Sequence, residues 1–203
     1  MKSSTSNHVE THGQMGAWAP YYDLLMKVIT LGREKALRKM TVDVARVKAG
    51  DKVLEVGCGT GTLSLVIQET VGQSGKVHAI DAAPEMIERA QRKNKRAGKN
   101  VNFQVGLIDK IPYSDNEFDV AMCSFMIFHM PHEVRQRGLK EIFRVLKQDG
   151  KLLIVDILKQ EGLNELQQLM EEAGFVKITN EKRKFSILYS GLFFVQGIAH
   201  KVY

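Results

Sequence analysis

Cysteine is scarce in this 203-residue sequence: Cys58 and Cys123 are the two present, far apart and each within an apolar run. That excludes a disulfide framework and a zinc-binding spacing, and it points to a reducing compartment, the cytoplasm. No apolar run reaches the roughly 20 residues of a membrane-spanning helix, and the N-terminus shows no apolar signal core. Acidic residues are missing from one long stretch, Arg89 to Lys99 (RAQRKNKRAGK), whose six basic side chains supply much of the formal charge of +6. Two readings stand for that run. It is a solvated helix face, or it is drawn to an anionic surface such as a phospholipid leaflet or nucleic acid.

What is present reads as one soluble domain, with an ordinary apolar share of 44% and enough length for a sizeable core. Residues 1–14 are polar and aperiodic and read as a flexible tail, with His8 and His12 in it. Residues 15–203 form the single domain, divided into a helical lid (15–47) and a core (48–203). The lid opens on MGAWAPYYDLLMKVITLG, with Trp18, Tyr21, Tyr22, Leu25 and Ile29 at helical spacing and Leu24, Val28 and Leu31 widening the apolar face. Such a segment packs over a core, closes a site, or rests on a membrane surface. A second amphipathic helix follows, turning Ala36, Leu37, Met40 and Val44 inward.

The chain is organised around VLEVGCGTGTLSL, Val53 to Leu65. A short apolar strand turns on Gly57, Gly59 and Gly61, with Cys58 inside the turn, and runs directly into an apolar-periodic helix. Alternate glycines suit a tight turn and close ligand approach. The helix aims its first N–H groups at that turn, which favours a ligand with anionic or acceptor groups. Glu55 lies inside the strand, where a carboxylate is costly unless paired or used. The turn lacks the Gly-Lys-Ser/Thr ending of a phosphate loop and the third-glycine offset of the dinucleotide fingerprint.

Further strands are expected at Lys76–Ile80, Val101–Val105, Val120–Ser124 and Lys151–Asp156, with helices opened by Pro84 and spanning His132 to Leu146. Strands alternating with helices imply a parallel sheet covered on both faces, with ligands bound beyond the carboxyl ends of the strands. Asp81 falls at the tip of the second strand, where an acid bonds ribose hydroxyls or caps the helix that follows.

These residues resemble the class I S-adenosylmethionine-dependent methyltransferases. VLEVGCGTG, HAIDAAPEMIERA, IPYSDNEFDVAMCS and EIFRVLKQDGKLLIVD match four of their motifs in order. The resemblance implies a Rossmann-like, doubly wound α/β fold: a seven-stranded sheet, mostly parallel with one antiparallel strand, and helices on both faces. The last helix would span Leu163 to Ala173, with strands at Phe175–Glu181 and Leu192–Ala199. It further implies S-adenosylmethionine as cofactor. Gly57, Gly59 and Gly61 would admit its methionine part, Glu55 would orient its amino group, and Asp81 would take the ribose hydroxyls. Ala82 and Met86 would lie beside the adenine, Leu107 and Ile108 would flank it, and the Cys123 carbonyl would face its amine. Two departures occur: Leu107 stands where many relatives have an acid, for which Asp109 or a backbone group would substitute, and Gln148–Asp149 replaces the usual Pro-Gly.

WAPYYDLL is similar to the start of quinone C-methyltransferases and bacterial phospholipid N-methyltransferases, in which an early Tyr-Asp pair, here Tyr22 and Asp23, helps close the cofactor site. The quinone enzymes carry a long insertion after the fifth strand that caps the substrate. Here only a few residues follow Asp156 before the next helix, so the acceptor pocket is expected to be shallow or completed by residues 15–31. The expected acceptor is a small or lipid-like molecule, with peripheral contact to an anionic membrane as a further expectation. His129, past the fourth strand, is the leading candidate base and Tyr21 the second; a structural histidine is the competing reading of the first. Nucleic acid is disfavoured, because Ser124-Phe125-Met126 replaces the Asn/Asp-Pro-Pro-aromatic turn that holds a flipped base. A cofactor-binding protein with little turnover, or a methyltransferase acting on nucleic acid or protein, is the alternative.

Overall fold

Apolar runs rich in Val, Ile and Leu alternate with longer amphipathic stretches, and each such run becomes a strand of one sheet. The computed structural model describes residues 19–183 and 192–201. Expectations placed on the 1–14 tail and on Trp18 lie outside the described residues, as do those on the side chains of Tyr22, Leu25 and Ile29. Five strands run parallel: β1 (Lys52–Val56), β2 (Lys76–Asp81), β3 (Val101–Val105), β4 (Phe118–Ser124) and β5 (Leu146–Ile157). β6 (Phe175–Arg183) and β7 (Leu192–Ala199) complete the order β3-β2-β1-β4-β5-β7-β6, with β7 antiparallel to both neighbours. This is the seven-stranded, mostly parallel sheet that the sequence implied. Strand order reverses between β1 and β4, which places a crevice at the carboxyl ends of those two strands.

Helices cover both faces: α1 (Ala19–Ile29), α2 (Glu34–Ala45), α3 (Thr62–Val71), α4 (Pro84–Arg96), α5 (His132–Val145) and α6 (Gln160–Glu172). Alternation along each strand splits the core in two. Leu54, Val56, Ala121, Cys123, Leu152 and Ile154 join α5 and α6 on one face. Val53, Val120, Met122, Leu153 and Val155 join α2 and α3 on the other. Fully burying a side chain of this kind contributes roughly 1.5–3 kcal/mol, so a one-residue register slip would be ruinous on either face.

Three boundaries differ from expectation. β4 begins at Phe118, not Val120. β5 begins at Leu146, because Lys147–Gly150 stays extended rather than forming a separate turn, with Asp149 at a φ of 59°. The register between β4 and β5 shifts between Phe118 and Val120, which absorbs the irregularity. The third concerns α1. Leu24, Val28 and Leu31 are 63%, 62% and 66% exposed, so the apolar face does not wrap inward as expected; Met26 does, at 5%. The chain leaves α1 through Leu31 and Gly32, at φ of 51° and 75°, before α2. Among the described residues no helix is long and apolar enough to cross a membrane.

Gly61 starts α3 at a φ of 78°, and a Cβ there would lie 2.7 Å from the Phe103 ring and 2.9 Å from the Ala90 methyl. Gly61→Ala should therefore cost about 2–4 kcal/mol, from the left-handed backbone and the overlap together. Gly32→Ala is the control: its φ is similar, but nothing lies within 4 Å of the added carbon, so about 1 kcal/mol is expected. Urea denaturation of both proteins checks this. Equal losses would mean that Phe103 and Ala90 simply move aside.

Candidate active site

The glycine turn joins β1 to α3, and it spends its own donors. Gly57 and Cys58 both donate to the Ile80 carbonyl, at 2.8 and 3.0 Å, and Gly61 donates to the Cys58 carbonyl at 2.9 Å. Gly59 N–H donates to Asp81 Oδ2 at 2.8 Å. Glu55, 1% exposed at the end of β1, accepts a short hydrogen bond from the Ser64 hydroxyl in the first turn of α3. The positive end of α3 is thus answered by the chain's own carboxylate. The glycines themselves have reasons inside the protein. A Cβ on Gly57 would lie 2.7 Å from the Met126 side chain, as one on Gly61 would meet Phe103.

Burial sets the electrostatics. Loss of solvent pushes the Glu55 carboxyl up to about 7, against the Ser64 hydroxyl and the charge of Arg38, which favour ionisation. Burial raises Asp81 too, opposed by the N–H groups of Ala83 and Gly59. Its Oδ1 accepts from Ala83 N–H at 2.9 Å; the N-cap of α4 is Ala83 itself, without a side-chain cap, so Asp81 braces the turn before the helix and does not cap it as expected. With Oδ2 on Gly59, one carboxylate ties the glycine turn to the β2–α4 turn. The Cys58 and Cys123 thiols are free and buried, and burial raises both.

Other expected residues divide. Met86 is buried with Ala83, and half-buried Ala82 lies between them and Asp81. Leu107 is exposed at the strand edge, whereas Ile108 is 5% exposed and belongs to the core. A Cβ on Gly138 of α5 would lie 2.6 Å from Ile108, so that side chain is committed to packing rather than to flanking a base. Asp109 is paired with Arg137 at 2.8 Å. His129 is exposed in a single 3-10 turn after β4 (Ile127–His129). Tyr21 is 64% exposed on α1, outward like Leu24 and Val28.

Sequence reasoning missed three groups. Lys93, within the basic run, donates to Asp23 Oδ1 at 2.7 Å and to Thr60 and Thr62 at 2.8 and 3.1 Å. Thr60 also donates to Asp23, at 2.6 Å, so α1 is clasped to the glycine turn through α4. Arg38 of α2, 4% exposed, donates to Ser124 Oγ at 3.3 Å and contacts Glu34 at 3.4 Å, and its Nε is buried without a partner. Asp156, 6% exposed at the end of β5, has a buried Oδ2 without a partner, within reach of the His129 charge. The available signal for Asp156 was an acid ending the apolar run LLIVD, the same signal that singled out Glu55. For Lys93 and Arg38 the partners are distant in sequence.

Residues 53–150 match the family described as "Methyltransferase domain". A demethylmenaquinone methyltransferase of Lactobacillus johnsonii is 34% identical over 161 residues, which are 77% of this chain and 65% of that protein. A ubiquinone/menaquinone biosynthesis C-methyltransferase of Citrifermentans bemidjiense is 36% identical over 143 residues, 70% of this chain and 60% of that one. The solved structure of a SAM-dependent methyltransferase from Aquifex aeolicus superposes with a TM-score of 0.71 at 26% identity, covering 91% of this chain and 98% of that chain. The chain is similar to S-adenosylmethionine-dependent methyltransferases in both its core sequence and its fold. It spans about three fifths to two thirds of the length of those curated relatives.

The family's cofactor is S-adenosylmethionine, and this site fits it. A buried carboxylate suits its ammonium, and a half-exposed acid at the tip of β2 suits vicinal hydroxyls. The N–H groups of Gly57, Cys58, Gly59 and Gly61 are already bonded within the protein. In the ligand-free protein Glu55 carries a pH-dependent penalty. Burial pushes its carboxyl up to about 7, well above the ordinary carboxylate range, so the folded state binds the extra proton. Stability should fall as pH rises through that window, by on the order of 3 kcal/mol, and stay reduced above it. Chemical denaturation of the wild-type and Glu55→Gln proteins at pH 5 and pH 8 checks the sign. The variant should gain relative to wild type at pH 8; parallel pH profiles would remove Glu55 as the source.

Proposed function

We propose that this methyltransferase transfers the methyl group of S-adenosylmethionine to a quinone-like, lipid-soluble acceptor in the cytoplasm, at the carboxyl edge of β4 and β5. The observation that carries this reading is 34% identity with a demethylmenaquinone methyltransferase and 36% with a ubiquinone/menaquinone biosynthesis C-methyltransferase. The bound cofactor supplies an electrophilic methyl on sulfur, open to in-line displacement. Glu55 holds its ammonium, Asp81 its ribose hydroxyls, and Leu107 borders its base. On the acceptor side, His129 takes the hydroxyl proton of a reduced quinone ring at an imidazole nitrogen. That would raise electron density on the neighbouring ring carbon, which would take the methyl as the sulfonium C–S bond breaks and S-adenosylhomocysteine leaves, and the ring C–H proton would then pass to solvent. Buried Asp156 steadies the imidazolium. Gly57, Cys58 and Gly59 shape the floor of the cradle, and the Cys123 carbonyl side of β4 closes it.

The test is release of S-adenosylhomocysteine with mass-resolved product, offering a short-chain demethylated naphthoquinol beside a phospholipid amine and a histone peptide. Methylation of the quinol, with turnover reduced at least 100-fold in His129→Ala, is expected. Methylation of the amine or the peptide instead, or cofactor binding without any product, would overturn the acceptor assignment.

The same reading makes residues 15–31 a lid that also meets an anionic bilayer. Tyr21, Leu24 and Val28 share the outer side of α1, and Leu31 continues it. Lys27 borders that stripe, and Arg89, Lys95 and Arg96 of α4 form no ion pair among the described residues. Apolar insertion with flanking cations is how an interfacial helix binds. Flotation with vesicles containing 30% phosphatidylserine should carry the protein upward. Leu24→Glu/Val28→Glu should stay at the bottom of the gradient. Equal flotation of the two proteins would locate any membrane contact elsewhere.

A further inference from the structure

Met126 joins the two halves of this site. β4 ends at Ser124, and Phe125 then turns back at a φ of 57°, a left-handed backbone that bulky side chains rarely adopt. Such conformations persist where the surroundings enforce them, and they cluster at functional sites. Here the Phe125 N–H donates to the Val155 carbonyl at 2.8 Å, which fixes the reversal against β5.

The reversal lays Met126 along the glycine turn. A Cβ built on Gly57 would lie 2.7 Å from Met126 Cγ, 2.8 Å from its Cε and 3.1 Å from its Cβ, so the thioether runs lengthwise over that glycine. The backbone of the same residue faces the other half of the site. The Met126 carbonyl accepts from the His129 N–H at 3.2 Å and closes the 3-10 turn that carries His129. Ile127 is fully buried and anchors this turn in the core, whereas Met126 is half-buried at its edge. Methyl transfer needs a boundary here that keeps water from the sulfonium and leaves room for the methyl to pass. An unbranched thioether with three torsions is apolar and adjusts its shape to an irregular gap.

We propose that Met126 is the apolar partition between cofactor and acceptor, and that its length sets how bulky the acceptor can be beside the reacting atom. This deepens the functional reading above, since it rests on an acceptor at the carboxyl edge of β4 and β5. It makes Met126 a specificity-determining residue, and it gives Gly57 its purpose: a side chain there would push the partition aside.

One test needs no acceptor. With the methionine methyls labelled by carbon-13, the Met126 signal is the one lost in Met126→Leu. It should shift when S-adenosylhomocysteine is added to the full chain, and again when an oxidised, non-reactive naphthoquinone follows. An unmoved signal while calorimetry records cofactor binding would overturn the partition. The second test compares two demethylated naphthoquinols, one unbranched and one branched at the side-chain carbon next to the reacting position. Met126→Ala should move the ratio of their kcat/KM values toward the branched quinol by roughly 10-fold or more, the scale of a methylene or two in an apolar pocket, and mainly through KM. Met126→Leu should recover most of the wild-type preference. Equal losses on both quinols would make Met126 a support of the fold. A loss of S-adenosylhomocysteine affinity that accounts for the whole effect would place it in the cofactor cradle alone. A wild type that methylates neither quinol would overturn the acceptor reading instead, and the methyl signal then decides the partition.

Discussion

A carboxylate buried at the end of a central strand sets the terms for the rest of this site. Glu55 is 1% exposed between β2 and β4, where an unpaired charge is strongly disfavoured. It is tolerated because α3 begins beside it: Ser64 supplies a hydroxyl, and the helix start supplies a positive field. That arrangement decides what the glycine turn is for. In phosphate and dinucleotide sites the helix start and its loop donors face a polyanion. Here the helix start faces the chain's own acid, and the loop donors are spent on Ile80, Cys58 and Asp81. The cradle is therefore preformed and negative, matched to a ligand bearing an ammonium and a sulfonium.

Asp81 extends the same logic to β2. By accepting from Gly59 and Ala83 at once, it makes the glycine turn and the start of α4 a single rigid unit. Lys93, one face further along α4, then reaches back to Thr60 and out to Asp23. A chain of polar contacts runs from the floor of the cradle to α1. An ion pair of this partial exposure contributes modestly by itself; its value lies in position, since it ties α1 to the glycine turn.

The fold was legible because its signals are local. Strand length, glycine punctuation and helix periodicity recur in order, and the last antiparallel strands followed from resemblance. Roles within the site were less legible wherever the deciding neighbour is remote in sequence. Gly57 looked like ligand clearance, yet Met126, nearly seventy positions on, occupies the space a Cβ would need; Gly61 answers to Phe103 and Ala90 in the same way. Ile108 looked like a wall of the adenine site until Gly138 showed it to be core. For α1 the sequence left the facing open between core, site and membrane surface. Asp23 is drawn to Lys93, and that rotation leaves Tyr21, Leu24 and Val28 outward. Helical spacing reveals a stripe, never what it faces.

The acceptor side follows from a short connection. β5 ends at Ile157 and α6 begins at Gln160, so two residues join them, and Ile157 itself is 48% exposed. No cap rises from that junction. Methyl transfer to an apolar acceptor needs water kept from the reacting atoms, and this stretch of the edge cannot exclude it unaided. The uncovered apolar side of α1 and the open edge of β5 pose one problem between them. On the proposed reading a single surface resolves both, because a bilayer leaflet would accept the stripe on α1 and deliver an acceptor already shielded from water. A substrate cap is needed when the acceptor is drawn out of the membrane; a protein that works against the leaflet can do without one.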